Sequence, residues 1–468
     1  MKKLVSLLMA ATMCASLAAC GGSSASSTAS TAASTADSSA ASSSTEAAAT
    51  SSDPVSGGEI NIPITDDPTT LQGWMVRNTN EMTVAPAIYE TLMAYDNAGT
   101  PQPYLLESFE GDPEALTYTM VVKDGITFQD GTPLDADAVK WNLDYYKENG
   151  VLTGSYFSYV DNVEVVDEKT VVVHMSSWDA LFDYGLARTC FICSPTAVEE
   201  LGPDGFNETP VGTGPFKVTK WVHGEGIYTE AYADYWQGKP YLDSVNFKIY
   251  ASTATQQAAM EVGDLDIMYL TGDAVTADSM EASGYTITNS SIPDSGHTLC
   301  FNSKADGPLT DVRVRQAIAL AVDTESINAA LLSNGKYGTS STQWAVSTSG
   351  EYTDIEGYGY DVEKAKSLLA DAGYADGFDL TINFQVGDFA KSVCQIIQAE
   401  LGEIGINVTL NQIEVANYAN YLGEWDDILY HPMGLSNGQY SQIAANMIPG
   451  ARFGSETFLH DDESVGLI

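Results

Sequence analysis

Apolar and polar residues alternate from Glu59 to Ile64, which puts Ile60, Ile62 and Ile64 on one face of a strand. Asp66 to Thr70 reads as a turn, and the apolar spacing from Ala85 to Met93 predicts a helix. Period two returns at Tyr118 to Val122, followed by turn signals at Asp124-Gly125 and Asp130-Gly131. Asp135 is placed to cap a helix that carries Val139, Leu143 and Tyr146 on one side. Val163 to Val166 and Thr170 to His174 form a predicted hairpin joined by Asp167-Glu168-Lys169.

After Pro210 the pattern changes to strands and helices in alternation. Phe216 and Val218 alternate with polar residues, as do Val245, Phe247 and Ile249. Thr255 to Val262 reads as a helix stopped by Gly263, and Asp266 to Leu270 as a strand. A new unit opens near His297, with a strand at Leu299 to Asn302. Asp311 to Leu320 reads as a helix, and two capped helices follow, introduced by Asp323 and Asp361, the last stopped by Gly373. Leu380 to Phe384 and Ile406 to Leu410 are strands around a helix at Ala390 to Leu401. Such alternation implies sheets flanked by helices, an α/β protein of more than one core.

The first 56 residues have neither period. Lys2 and Lys3 precede an apolar stretch from Leu4 to Ala19, too short to cross a bilayer comfortably, and it reads as a secretory signal. It ends Leu17-Ala18-Ala19-Cys20-Gly21, which resembles the bacterial lipobox; the resemblance implies acylation of Cys20 by its thiol and a lipid anchor on the membrane. The Ser-, Ala- and Thr-rich continuation to Ser56 has no apolar face with which to offset the entropy of ordering. It serves as a tether with a coil reach of roughly 30–35 Å.

Charge narrows the class further. The chain has 20 basic and 63 acidic residues, formally −43, which disfavours nucleic-acid partners and suits a soluble surface. Beyond Cys14 and Cys20, Cys190 and Cys193 form a C-F-I-C group, while Cys300 and Cys394 stand apart. Buried thiols or one local disulfide fit this spacing better than zinc, which wants four ligands, or a redox pair. The histidines (His174, His223, His297, His431, His460) are widely separated, so no metal cluster is expected, and no cofactor. Paired acids such as Asp426-Asp427 and Asp461-Asp462 are uninformative in so acidic a chain, although glycoside hydrolysis needs only two carboxylates.

The segment T-P-V-G-T-G-P-F-K at 209–217 raises the question of a phosphate loop. Gly212, Gly214 and Lys217 lack the G-x-x-x-x-G-K spacing, and Pro215 removes one backbone donor. What the segment does resemble, with A-Y-A-D-Y-W-Q-G-K-P-Y-L-D-S-V-N-F at 231–247 and D-V-R-V-R-Q-A-I-A-L-A-V-D at 311–323, is the extracellular solute-binding proteins of the peptide and nickel ABC-transporter family. A-A-M-E-V-G-D-L-D-I at 258–267, V-K-D-G-I-T-F-Q-D-G-T-P-L at 122–134 and L-L-A-D-A-G-Y at 368–374 agree in the same order.

The resemblance implies a two-lobed periplasmic-binding-protein-like fold of the second type, with an extra subdomain in the first lobe. Residues 1–19 would be the lipoprotein signal, 20–56 the lipidated Cys20 and tether, 57–93 and 206–295 lobe one, 94–205 its inserted subdomain, and 296–468 lobe two. Family members continue past the equivalent of Leu467-Ile468, so lobe two is expected to be incomplete here. The implied role is the substrate-binding, non-enzymatic component of an ABC importer, an extracytoplasmic monomer that passes a small solute, such as a peptide, to permease subunits. Gly212, Gly214, Pro215, Arg313 and Arg315 would be architectural. Aligned on the family, Tyr430, His431, Ser436 and Asn437 are ligand candidates, with Trp344 and Trp425 as aromatic enclosure. The aspartate that pairs with a peptide's amino group in that family falls near Ser436, which weakens the case for a free peptide N-terminus. A secreted hydrolase using paired carboxylates and a surface adhesion or sensing module of the same fold stand as the alternatives.

Overall fold

The computed structural model describes residues 54–96, 99–151, 157–270, 272–289, 295–303, 306–341, 357–414, 417–418, 421–422 and 425–434. Cys20, the tether, Trp344, Ser436 and Asn437 lie outside the described residues.

The first sheet grows from the strand with the alternating isoleucines, β1 (Glu59–Ile64). The chain then caps a helix, α1 (Thr79–Ile88): Asn78 accepts the N–H of Glu81, and the Glu81 side chain reaches back to the N–H of Asn78. This capping box starts the helix ahead of the predicted Ala85, and the chain past Ile88 is extended instead, with a short strand, β2 (Met93–Tyr95), facing β3 (Pro101–Pro103). Glu90, in that extended stretch, is 6% exposed and accepts hydrogen bonds from Tyr104 Oη (2.7 Å), Tyr235 Oη (2.6 Å) and Trp236 Nε1 (2.8 Å). A carboxylate so held anchors the backbone away from the helix that local spacing favours.

An antiparallel sheet follows, built from β4 (Leu106–Asp112), β5 (Thr117–Val122), β6 (Val160–Val165) and β7 (Thr170–Met175) in the order β4-β5-β7-β6. Helix α2 (Ala136–Asn149) starts where Asp135 accepts the N–H of Ala138 at 2.9 Å, and buries Val139, Leu143 and Tyr146. Two helices complete this region, α3 (Phe182–Arg188) and α4 (Pro195–Glu208), the latter broken at Gly202.

The chain then returns to the first sheet as β8 (Phe216–Val222), β9 (Gly226–Ala231) and β10 (Ser244–Ile249), in the order β1-β10-β9-β8 with β1 parallel to β10. One continuous apolar core, from Ile64 to Phe247, runs under both this sheet and the antiparallel one. Helix α5 (Thr253–Glu261) comes next. The predicted strand after it has no regular structure and, among the described residues, meets the sheet at its start, where Asp266 N donates to Asn61 O and Asp266 Oδ2 accepts Asn61 N. Helix α6 (Ala274–Ala282) then leads away from that sheet.

A separate core, from Leu309 to Tyr430, fills the second part. Its sheet has the order β11-β14-β12-β13, formed by β11 (Ser295–Phe301), β12 (Phe378–Gln385), β13 (Ile406–Ile413) and β14 (Ile428–Gly434). β12 runs parallel to both β13 and β14, and β11 is antiparallel to β14. Around it pack α7 (Val312–Ala321), α8 (Thr324–Leu331), α9 (Val362–Asp371) and α10 (Asp388–Glu403). The first three are capped by Asp311, Asp323 and Asp361.

Candidate functional site

The G-T-G segment is sealed by protein. Gly214 N donates to Ile88 O (2.9 Å) and Gly212 N to Gln129 Oε1 (3.4 Å), so neither amide is available to an anion. Gln129 Nε2 bridges the carbonyls of Ile88, Gly214 and Phe216. A Cβ on Gly212 would lie 2.3 Å from Ile88 O, and one on Gly214 2.6 Å from Ile88 C, which is why both positions need glycine. Pro215 O accepts Tyr232 N, and Lys217 Nζ donates to Gln129 O at 2.6 Å while lying over the Tyr232 ring.

The C-F-I-C group packs beside this segment, with Cys193 bridged to Gly212 and its backbone held by Asn142 through both amide atoms. The four described cysteines are free and buried, and burial pushes each thiol pKa up, Cys394 to about 12. Arg313 forks onto Asp311 and reaches Asp371 O, and Arg315 ties the carbonyls of Leu309 and Thr310 to α7. Asp427 Oδ2 accepts Thr381 N at 2.7 Å, so this member of the paired acids braces a strand.

The chemistry gathers instead at one end of the second sheet. Ligands of open parallel sheets bind outside the carboxyl ends of the strands. Tyr430 on β14 stands opposite Phe384, next to the last residue of β12, so it lies at that end. The register also sets His297 against Pro432 and Leu299 against Tyr430, which puts His297 and Tyr430 on the same face. Their rings stack at 5.2 Å with 17° between planes, and Phe389, from the first turn of α10, meets His297 edge-on at 5.2 Å. Gly272 approaches Phe389 so closely that a Cβ there would lie 2.6 Å from its ring.

Tyr430 is 3% exposed and its hydroxyl has no hydrogen-bond partner among the described residues. Burial raises its pKa, so the group stays neutral. The His297 ring, in contrast, is open to solvent, yet the surrounding protein removes enough water to lower its pKa. A neutral imidazole there offers one donor and one acceptor.

His431 follows Tyr430 but points to the opposite face, where its Nδ1 lies 2.6 Å from Tyr418 Oη. Trp425 is 2% exposed in a small cluster with Cys300, Ile413, Tyr418, Leu422 and Leu429, so protein side chains take up its surface. His297 and Phe389 were not singled out from the sequence as ligand candidates. Their only local signal is that each stands at the start of an element, and the strand pairing that joins them to Tyr430 is long-range. No group of three or more metal-binding side chains occurs among the described residues.

Known proteins share this fold. The glutathione-binding protein GsiB of Salmonella paratyphi A is 27% identical over 357 residues, which are 75% of this chain and 69% of that protein. The ABC transporter substrate binding protein CtaP of Listeria monocytogenes superposes with a TM-score of 0.75 at 23% identity, covering 87% of this chain and 85% of the other. The oligopeptide-binding protein AppA of Bacillus subtilis, in complex with a nonapeptide, gives 0.68 at 23%, covering 89% and 87%. These likenesses show a two-lobed α/β fold of the periplasmic-binding-protein type, second class. The family model for bacterial extracellular solute-binding proteins, family 5, matches residues 100–443, taking in both the sealed G-T-G segment and the His297–Tyr430 stack. The chain belongs to that family, whose members bind solutes outside the cytoplasm.

Proposed function

We propose that this protein is the substrate-binding component of an ABC importer, anchored to the membrane by lipid on Cys20 and acting as a monomer. It takes a small polar solute of peptide-like character between its lobes and hands it to a permease. Residues 57–93 and 206–295 form lobe one, 94–205 its insert, and 296–468 lobe two. The observation that carries this reading is the His297–Tyr430–Phe389 wall, a neutral imidazole open to solvent above an unsatisfied hydroxyl at the carboxyl end of the second sheet. The names of GsiB and AppA, a glutathione and an oligopeptide binder, support a peptide-like solute. Closure of two lobes over such a wall is a shift between two states, driven by the solute's preference for one of them.

A thermal-shift screen tests it, with glutathione, tri- and tetrapeptides, free sugars and nickel chelates as probes. A peptide that raises the melting temperature in proportion to the logarithm of its concentration, and is recovered uncleaved, supports the reading. Raised melting only with sugars or chelates would replace the peptide class, and cleavage of a probe would sink the non-enzymatic role.

A further inference from the structure

The contacts of helix α6 set it beside the second core. Asp278 on α6 accepts Ser333 Oγ at 2.5 Å, Tyr337 Oη at 2.8 Å and Lys336 Nζ at 3.0 Å, all from the turn that follows α8. Just ahead of α6, Gly272 has a φ of 67° and abuts the ring of Phe389. The chain entering α6 is thereby brought to the first turn of α10, where Phe389 meets His297.

The large apolar side chains of this neighbourhood are exposed. Tyr269 (53% exposed) and Val275 (83%) flank Gly272 in the chain, and Val386 (41%) leads into the turn that carries Phe389. The His297 ring is exposed as well, although Tyr430 stacks along it and Phe389 meets it at 61°. Single exposed apolar residues are ordinary, but several around an aromatic stack at the carboxyl end of a sheet mark a place where a ligand is received. The Tyr430 hydroxyl within that stack is buried and has no partner among the described residues, so the ligand must carry a polar group too.

We propose that this surface is a subsite for an aromatic side chain of the bound solute, and that His297 is the residue that selects it. The incoming ring extends the His297–Tyr430 stack, while a polar group of the same solute reaches the Tyr430 hydroxyl. An aliphatic side chain would gain similar burial there but not the ring-on-ring attraction, which acts at centroid separations of about 4.5–7 Å. This inference rests on the proposed peptide-like solute.

Titration calorimetry on the full chain tests it, with glycine tripeptides that carry phenylalanine, leucine or alanine at each position in turn. The best phenylalanine peptide is expected to bind about tenfold tighter than its alanine counterpart and about three- to tenfold tighter than its leucine counterpart. H297A should bring the phenylalanine-to-leucine ratio close to one, and H297F, which keeps a ring, should preserve it. Melting temperatures read in parallel confirm that both variants are folded, and the ratio within each variant is independent of the amount of active protein. A leucine peptide bound as tightly as the phenylalanine one, or a wild-type ratio in H297A, overturns the aromatic subsite and leaves the peptide reading standing. Failure of every tripeptide to bind overturns both.

Discussion

Replacing Gly214 by alanine should unfold the first lobe early without touching a solute. The added methyl would sit 2.6 Å from Ile88 C, 2.7 Å from Ile88 O and 2.9 Å from Ala87 O, all backbone atoms of the last turn of α1. No rotamer change relieves a clash with backbone, so either α1 or the segment must retreat by several tenths of an ångström. Overpacking of this kind costs about 1–3 kcal/mol. The retreat also stretches the 2.9 Å bond from Gly214 N to Ile88 O and the Gln129 bonds to Ile88 O and Gly214 O, each worth about 1 kcal/mol. Together they come to about 4–6 kcal/mol, a large part of the 5–15 kcal/mol typical of a domain. With a urea slope of about 3 kcal/mol/M, the midpoint should fall by about 1.3–2 M. Tryptophan fluorescence reports it, since Trp74 is buried in the same core against Phe206 and Tyr145. An unchanged midpoint would refute the steric argument, and an unchanged midpoint with lost solute binding would make the segment part of the site.

Four further outcomes are expected. Y430F should raise the stability of the solute-free protein by about 1 kcal/mol, because it removes an unsatisfied buried hydroxyl, while weakening solute binding; a loss of stability would show that the hydroxyl is bonded. E90Q should cost about 2 kcal/mol in urea unfolding, since an amide cannot accept from Tyr104, Tyr235 and Trp236 as the carboxylate does. G402A, in α10 with open space around the new methyl, should gain about 0.5–1 kcal/mol and serves as a positive control for the Gly214 variant. Burial raises Glu400 to about 7 from 4.5, so folded and unfolded states are both protonated below pH 4.5 and the penalty on folding grows as pH rises from there to about 7. After allowance for its half-exposed position, E400Q should gain roughly 1 kcal/mol at pH 8 and nothing at pH 4 in paired urea titrations.

Local chemistry was legible wherever one signal decided the outcome. The isoleucine alternation marks β1 from Glu59 to Ile64, and Asp135, Asp323 and Asp361 each accept a backbone N–H at the helix starts expected of them, while Asp311, read as the first helical residue, is the cap. The helix read from Ala85 went astray because two signals competed: an N-x-x-E capping box at Asn78 outweighs the later apolar run, and donors from Tyr104, Tyr235 and Trp236 hold Glu90 in extended chain. Asp266 to Leu270 has a strand's composition, yet among the described residues it is Asp266 that bonds to β1. The site was least legible. His297 and Tyr430 are far apart in sequence and meet only through the β11–β14 register, which no local period encodes. Family alignment named Tyr430 and His431 together but could not say that they face opposite sides of β14.

The buried free thiols make unfolding chemically different from folding in an oxidising exterior. While the fold persists, Cys190, Cys193, Cys300 and Cys394 are shielded from oxidant and held protonated. Once it opens, four unprotected sulfhydryls become available for random cross-linking, and a molecule that melts once has many covalent dead ends and a single way home. Such a binder is protected by the height of its unfolding barrier more than by its equilibrium stability. The protein's lifetime outside the cytoplasm is then a kinetic quantity, set by how rarely the cores around these sulfurs come apart.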